Sequence, residues 1–139
     1  MTGIVDLAPC HYLSSSDHLL AIGWLDRNLD CRRGPTPSRV FAGLVELLAN
    51  PFMPVATAGT HICNLCQFED DAPVGHRYLL VPSGKFIYAA PELIFHYINA
   101  HWYQPPAEFC DAVITCPAMR SPQYREALAL GGVAKMFRS

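Results

Sequence analysis

The chain has 139 residues, 51% of them hydrophobic and 16% charged, with a formal net charge of −2. Charge below the roughly 25% usual for soluble domains, together with this much apolar side chain, excludes an intrinsically disordered chain and fits one compact domain. A net charge of −2 also excludes a general attraction to phosphate backbones or anionic lipid.

The chain reads as a single domain over 1–139, with a helical and irregular front half (1–58) and a second half (59–139) built differently. Met1 to Cys10 has no basic cluster followed by an apolar run, so it does not read as a signal peptide. Leu19 to Leu25 is far too short to span a membrane. Six cysteines without a secretion signal favour reduced thiols or metal binding over a disulfide framework. A cytoplasmic protein that does not engage membranes is expected.

Met1 to Ser15 shows no periodicity and reads as irregular. Leu19 to Leu25 reads as a strand with Leu20, Ile22 and Trp24 on one face, with a short helix capped by Ser16 as the alternative. Asp26 to Gly34 is a charged loop. Thr36-Pro37 predicts a helix start, a capping hydroxyl followed by a proline at the first position. Val40, Phe41, Leu44, Val45 and Leu48 then form an apolar stripe at helical spacing, and Pro51 and Pro54 stop the helix near Ala49.

The knuckle His61-Ile62-Cys63-Asn64-Leu65-Cys66 follows, then the solvated acidic run Glu69-Asp70-Asp71. His76 to Val81 and Phe86 to Ala89 predict a β-hairpin turning at Pro82-Ser83-Gly84-Lys85. Pro91-Glu92 predicts the opening of a helix with apolar face Leu93, Ile94, Tyr97 and Ile98. Another helix is expected from Pro106 to Thr115, burying Phe109, Ala112 and Val113. A last one has Ser121 as cap and Pro122 at the first position, ending at Gly131-Gly132. The tail from Val133 is expected to fray. The fold class is α+β: a small zinc-stabilised domain, a β-hairpin with three to four helices.

Two short signals carry chemistry. Cys63-x2-Cys66 offers two thiolates from a tight turn, and His96-x4-His101 offers two imidazoles from a helix. Together they suffice to enclose one tetrahedral Zn²⁺. Residues five apart on an ideal helix differ by about 140° in azimuth, so His96 and His101 converge only if the last turn loosens. His61 or His76 can replace one of the helix histidines.

The order Cys63-x2-Cys66, hairpin, His96-x4-His101 resembles a two-Cys, two-His zinc finger. Its 29-residue spacer is longer than the roughly twelve of the DNA-reading kind. A wider string also resembles a family of uncharacterised small bacterial proteins. Its pieces here are Gly59-Thr60-His61-Ile62-Cys63-Asn64-Leu65-Cys66, Tyr88-Ala89-Ala90-Pro91, Leu93-Ile94-Phe95-His96-Tyr97-Ile98 and Tyr103-Gln104-Pro105-Pro106-Ala107-Glu108-Phe109. The resemblance covers roughly the second half and part of the first. It implies the metal site and leaves the activity open.

Plainer readings compete. Cys63-x2-Cys66 can be a redox pair, but the βαβ context of a thioredoxin-like site is missing. His96 can be a satisfied helix histidine with His101 at the surface. Cys110 and Cys116 can be a second metal or redox pair, or small buried hydrophobes like Cys10 and Cys31. His11, Asp17 and His18 lack a matched partner for acid–base work.

Three function classes follow. A nucleic-acid-binding zinc finger is disfavoured: from His61 to Cys116, Arg77 and Lys85 face six acidic residues, a net of −4, and the helix Pro91 to Tyr103 has no Lys or Arg. Arg27, Arg32, Arg33 and Arg39 form a small basic cluster in the front half. A metal-dependent or thiol enzyme with an open zinc site would need an uncoordinated histidine and a base such as Glu92 or Glu69, and no catalytic motif is present. The remaining class is a protein-binding or regulatory module whose zinc is structural. Phe86, Tyr88, Tyr97, Trp102 and Tyr103 with Pro105-Pro106 are its candidate contact surface, with core packing as the plainer reading for most of these aromatics. A protein partner is expected, and nucleic acid is not.

Overall fold

The computed structural model describes residues 3–55, 61–66 and 72–137. The expected acidic loop Glu69-Asp70-Asp71 and the Gly59-Thr60 start of the knuckle lie outside the described residues.

The predicted hairpin is the centre of the fold. β4 (Tyr78–Ser83) and β5 (Phe86–Pro91) pair antiparallel in register from Ser83 opposite Phe86 to Tyr78 opposite Pro91. The turn is Gly84-Lys85, where φ of +60° at Gly84 suits a residue without Cβ. Pro82 and Ser83, expected in the turn, belong to the strand. β4 is the edge strand of the sheet, where a missing N–H breaks no ladder. β1 (Leu19–Ala21) adds in parallel to the other side of β5, so the order is β1-β5-β4.

The Leu19–Leu25 segment is therefore a strand, but a short one. Gly23 turns the chain at φ +76°, and Trp24 leaves the face that Leu20 and Ile22 share. Its indole Nε1 donates to the Ala89 carbonyl at 2.9 Å.

Both faces of this sheet are covered, which explains continuous apolar runs in place of clean alternation. Leu79, Val81, Tyr88 and Ala90 point into one core, with Ile22, Leu44, Tyr97 and Phe109. Tyr78, Leu80, Ile87 and Ala89 point into the other, with Trp24, Tyr124 and Leu128. Helices α1 (Ser38–Leu48), α2 (Ile94–His101) and α3 (Ala107–Thr115) supply the first face; α4 (Pro122–Leu130) and α5 (Val133–Met136) supply the second. A second, two-stranded sheet pairs β2 (His61–Ile62) with β3 (Val74–Gly75).

Several local expectations are corrected. Pro37 is the N-cap of α1 with no side-chain cap, because the Thr36 hydroxyl reaches the Tyr103 carbonyl at 3.4 Å. In α1 Val45 is exposed and Leu47 is buried in its place: the helix meets two neighbours, α2 and α3, so its buried stripe is rotated. Pro91-Glu92 does not open α2. Pro91 ends β5, and Glu92 accepts hydrogen bonds from the backbone N–H of His76 (2.7 Å) and Arg77 (3.2 Å) and from Arg77 Nε (2.9 Å). The tail does not fray at Val133, since α5 is pinned by Ser14 Oγ donating to the Met136 carbonyl at 2.6 Å. α3 and α4 are as predicted, α3 burying Phe109, Ala112 and Val113. In α4 Ser121 caps through Oγ, accepting from Tyr124 N–H at 3.1 Å. Ser121→Ala is expected to cost about 1 kcal/mol of stability, measurable by urea denaturation; an unchanged midpoint would remove the cap from the account.

Glu92 also sets an acid limit. Burial pushes its carboxyl up, but the N–H donors of His76 and Arg77 and the Arg77 guanidinium outweigh that and hold it below its ordinary 4.5. A lowered folded-state value means the contribution is complete above pH 4.5 and is lost as pH falls through the lowered value. Thermal melts through that window are expected to show a smaller acid-induced drop for Glu92→Gln than for the native chain. Equal drops in both would assign the acid sensitivity elsewhere.

Among the described residues no helix is long and apolar enough to cross a membrane.

Candidate metal centre

The knuckle hangs from β2. The Cys63 N–H donates to the Pro73 carbonyl at 3.0 Å, continuing the β2–β3 ladder by one bond before the chain turns at Asn64-Leu65. Cys63 is buried at 1% exposure and packs in the α1–α3 core, whereas Cys66 is half-buried. From the other side comes α2, whose inner face is anchored by Ile94 and Tyr97.

Both histidines of α2 reach the thiols. Cys66 Sγ lies 3.3 Å from His96 Nε2 and 3.3 Å from His101 Nε2; Cys63 Sγ lies 3.5 Å from His101 Nε2 and 3.6 Å from Cys66 Sγ. All four donor atoms lie within 4.8 Å of one another, close enough to hold a metal ion.

The 140° problem is resolved at the end of the helix. The Tyr97 carbonyl accepts the N–H of Trp102 and, at 3.1 Å, that of Tyr103, five and six residues on. Bonds that long widen the last turn beyond α geometry, and Trp102 then takes left-handed φ of +56°. The two imidazoles consequently stand edge to face, centroids 5.0 Å apart.

These spacings test the donor set. Around one Zn²⁺ with bonds of about 2.3 Å to sulfur and about 2.0 Å to nitrogen, tetrahedral edges are about 3.8 Å for S···S and about 3.5 Å for S···N. The observed 3.6 Å and 3.3–3.5 Å are those edges to within about 0.2 Å. A divalent cation placed between them would be shared by all four donors.

The alternative ligands stand elsewhere. His61 Nε2 is hydrogen-bonded to the Tyr97 hydroxyl at 2.8 Å, and its ring packs edge-on against Trp24. Burial lowers the His61 pKa and keeps the imidazole neutral. Burial, reinforced by Cys63, pushes the Tyr97 hydroxyl up, so it stays protonated. His76 lies beside Glu92 at 3.9 Å. His61 and Tyr97 thus line the inner wall of the centre without belonging to the cluster.

One participant was invisible in the sequence. Arg33 Nη1 donates to the His101 carbonyl at 2.6 Å, and the 32–36 loop runs beside 102–104 through Gly34 N–H to Trp102 carbonyl (3.1 Å) and Gln104 N–H to Arg32 carbonyl (3.0 Å). This loop fixes the turn that carries His101. No local pattern signals a contact across 68 residues.

The remaining candidates do not assemble a second centre among the described residues. Cys10 is buried; Cys31, Cys110 and Cys116 are half-buried and unpaired by disulfides. Cys110 and Cys116 pack against the core, as the hydrophobic reading expects. His11 and Asp17 are exposed and 3.5 Å apart, and His18 lies against Phe86. Of the candidate contact surface, Tyr88, Tyr97 and Tyr103 are core residues, and Pro105 and Pro106 are buried. Trp102 is 61% exposed, and Phe95, stacked on Phe41, adds a second exposed ring.

A family model described as a domain of unknown function, DUF7919, matches residues 2–114. The chain belongs to this family. The matched stretch includes β1, the hairpin, α1, α2 and all four side chains of the cluster, and it ends inside α3. The DUF7919 match agrees with the resemblance to an uncharacterised family. No curated protein and no solved structure matches the chain.

Proposed function

We propose that this DUF7919 protein binds one Zn²⁺ through Cys63, Cys66, His96 and His101, that the zinc is structural, and that the domain it stabilises is a protein-binding or regulatory module. The observation that carries the reading is the agreement of four donor–donor distances with the edges of one zinc tetrahedron. Four protein donors complete the shell, whereas a catalytic zinc keeps one position for water. The centre also ties β2 to α2, two elements that lie 30 residues apart between Cys66 and His96. That is the role of a structural zinc, whose binding free energy adds to folding.

The module reading draws on the surface beside the centre. Trp102 follows His101 directly and stands 61% exposed, and an exposed large aromatic is a typical protein-interface anchor. Nucleic acid fits less well, because the helix carrying both histidines has no basic residue other than histidine.

The test is metal content and coordination. Purified protein is expected to hold one zinc per chain by elemental analysis. Replacing it with Co²⁺ should give the intense visible absorption of a tetrahedral site with sulfur-to-metal charge transfer. Substoichiometric metal that Cys63→Ser and His101→Ala leave unchanged would overturn the assignment.

A further inference from the structure

The two sulfurs and their surroundings carry one step more, which rests on the zinc reading above. We propose that the centre is an oxidant-responsive switch: hydrogen peroxide joins Cys63 and Cys66 in a disulfide, the zinc leaves, and the end of α2 is released from the knuckle.

The geometry selects this pair. Cys63 Sγ and Cys66 Sγ are 3.6 Å apart, and a disulfide of about 2.05 Å needs only a modest approach across a two-residue turn. Their exposures differ in a useful way. Cys66 is half-buried and open to a small oxidant, while Cys63 is 1% exposed and sheltered from it. Cys66 is thus placed to be attacked first and Cys63 to resolve it. Zinc keeps both as thiolates, the reactive form.

The other four thiols are poor competitors. Burial pushes Cys10 up to about 12 and Cys116 up to about 11, and raises Cys31 and Cys110 as well, so all four stay protonated.

The chemistry balances. The Cys66 thiolate attacks one peroxide oxygen, the O–O bond breaks, and the departing hydroxide takes a proton to become water. Cys66 is then a sulfenic acid. The Cys63 thiolate attacks that sulfur, the S–O bond breaks, and the second hydroxide leaves as water with a second proton. Two thiolates lose two electrons in total, one peroxide gains them, and Zn²⁺ departs unchanged in charge. His96 and His101 are then left with no sulfur-bound metal to hold them. The strain at Trp102 (φ +56°) lies in the turn that this loosens.

The test treats the zinc-loaded full chain with hydrogen peroxide. Released zinc is followed with a metallochromic indicator, free thiols are counted, and peptide mapping locates any disulfide. The expected result is one zinc released for each two thiols lost, a Cys63–Cys66 link, and full recovery on reduction with added zinc. The Cys110→Ser variant should behave identically. Zinc retained while Cys10, Cys31, Cys110 or Cys116 oxidises first would overturn the switch and leave the structural zinc intact. So would release with Cys63 and Cys66 recovered as separate acids. A chain that binds no zinc before oxidant is added overturns both.

Discussion

Stripping zinc from the loaded chain with a strong chelator is expected to lower its thermal midpoint by roughly 10 °C or more, a loss of about 3 kcal/mol in a chain of this size. The full effect is expected to be larger. Structural zinc contributes of order 10 kcal/mol in model peptides, while a whole domain is stable by only about 5–15 kcal/mol. Cys63 sits in the core that α1, α2 and α3 share with the sheet. Losing the ion there leaves the buried Cys63 thiol against His101 and the half-buried Cys66 thiol against both imidazoles, and it unties β2 from α2. Cys63→Ser and His101→Ala should both reproduce the chelator effect, and re-added zinc should restore the chelated native chain only. Hydrogen exchange is expected to speed up first in 61–66 and 94–101 and last in β4 and β5. A melt indifferent to chelation would end the structural-zinc reading.

The second large effect concerns a core residue outside the Cys/His cluster. Phe109→Ala is expected to cost about 3–5 kcal/mol, the usual range for deleting a fully buried ring. Phe109 is 0% exposed and meets Tyr88 of β5 edge to face, with centroids 5.8 Å apart. It is the side chain by which α3 seats on the sheet, and α3 in turn supports α1. Phe109→Leu keeps most of the volume and should lose less than half as much. Equilibrium urea unfolding measures both. If Phe109→Ala loses under 1 kcal/mol, α3 is not docked as described. Because Phe109 supplies none of the four donor atoms, zinc stoichiometry should be unchanged in the folded fraction.

The sequence by itself determined the elements whose signals are local. The Ser121-Pro122 cap, the hairpin between two apolar runs with Gly84 in its turn, and the 109/112/113 face of α3 each depend on neighbours within one turn or one strand, so their residue types settle them. The donor types of the cluster were legible for the same reason: two cysteines at a knuckle spacing and two histidines near a helix end.

Tertiary contacts decided what those signals could not reach. Thr36 and Glu92 both carry helix-start chemistry, yet their side chains are engaged by distant partners: the Thr36 hydroxyl donates to the Tyr103 carbonyl across 67 residues, and the Glu92 carboxylate accepts from the N–H groups of Arg77 and His76 across 15 and 16. Val45 faces outward and Leu47 inward because α1 packs against two helices at once, which rotates the buried stripe. The convergence of His96 and His101 depends on a widened last turn and on Arg33 gripping the His101 carbonyl from the front half. The same limit applies to the aromatic surface. Tyr97 and Tyr103 fit either a contact surface or the core by sequence, and the structure places both in the core, with their hydroxyls hydrogen-bonded to His61 and Asp6. Local spacing therefore supplied the donor types, and long-range hydrogen bonds help bring the four donor atoms within 4.8 Å of one another, close enough to hold a metal ion.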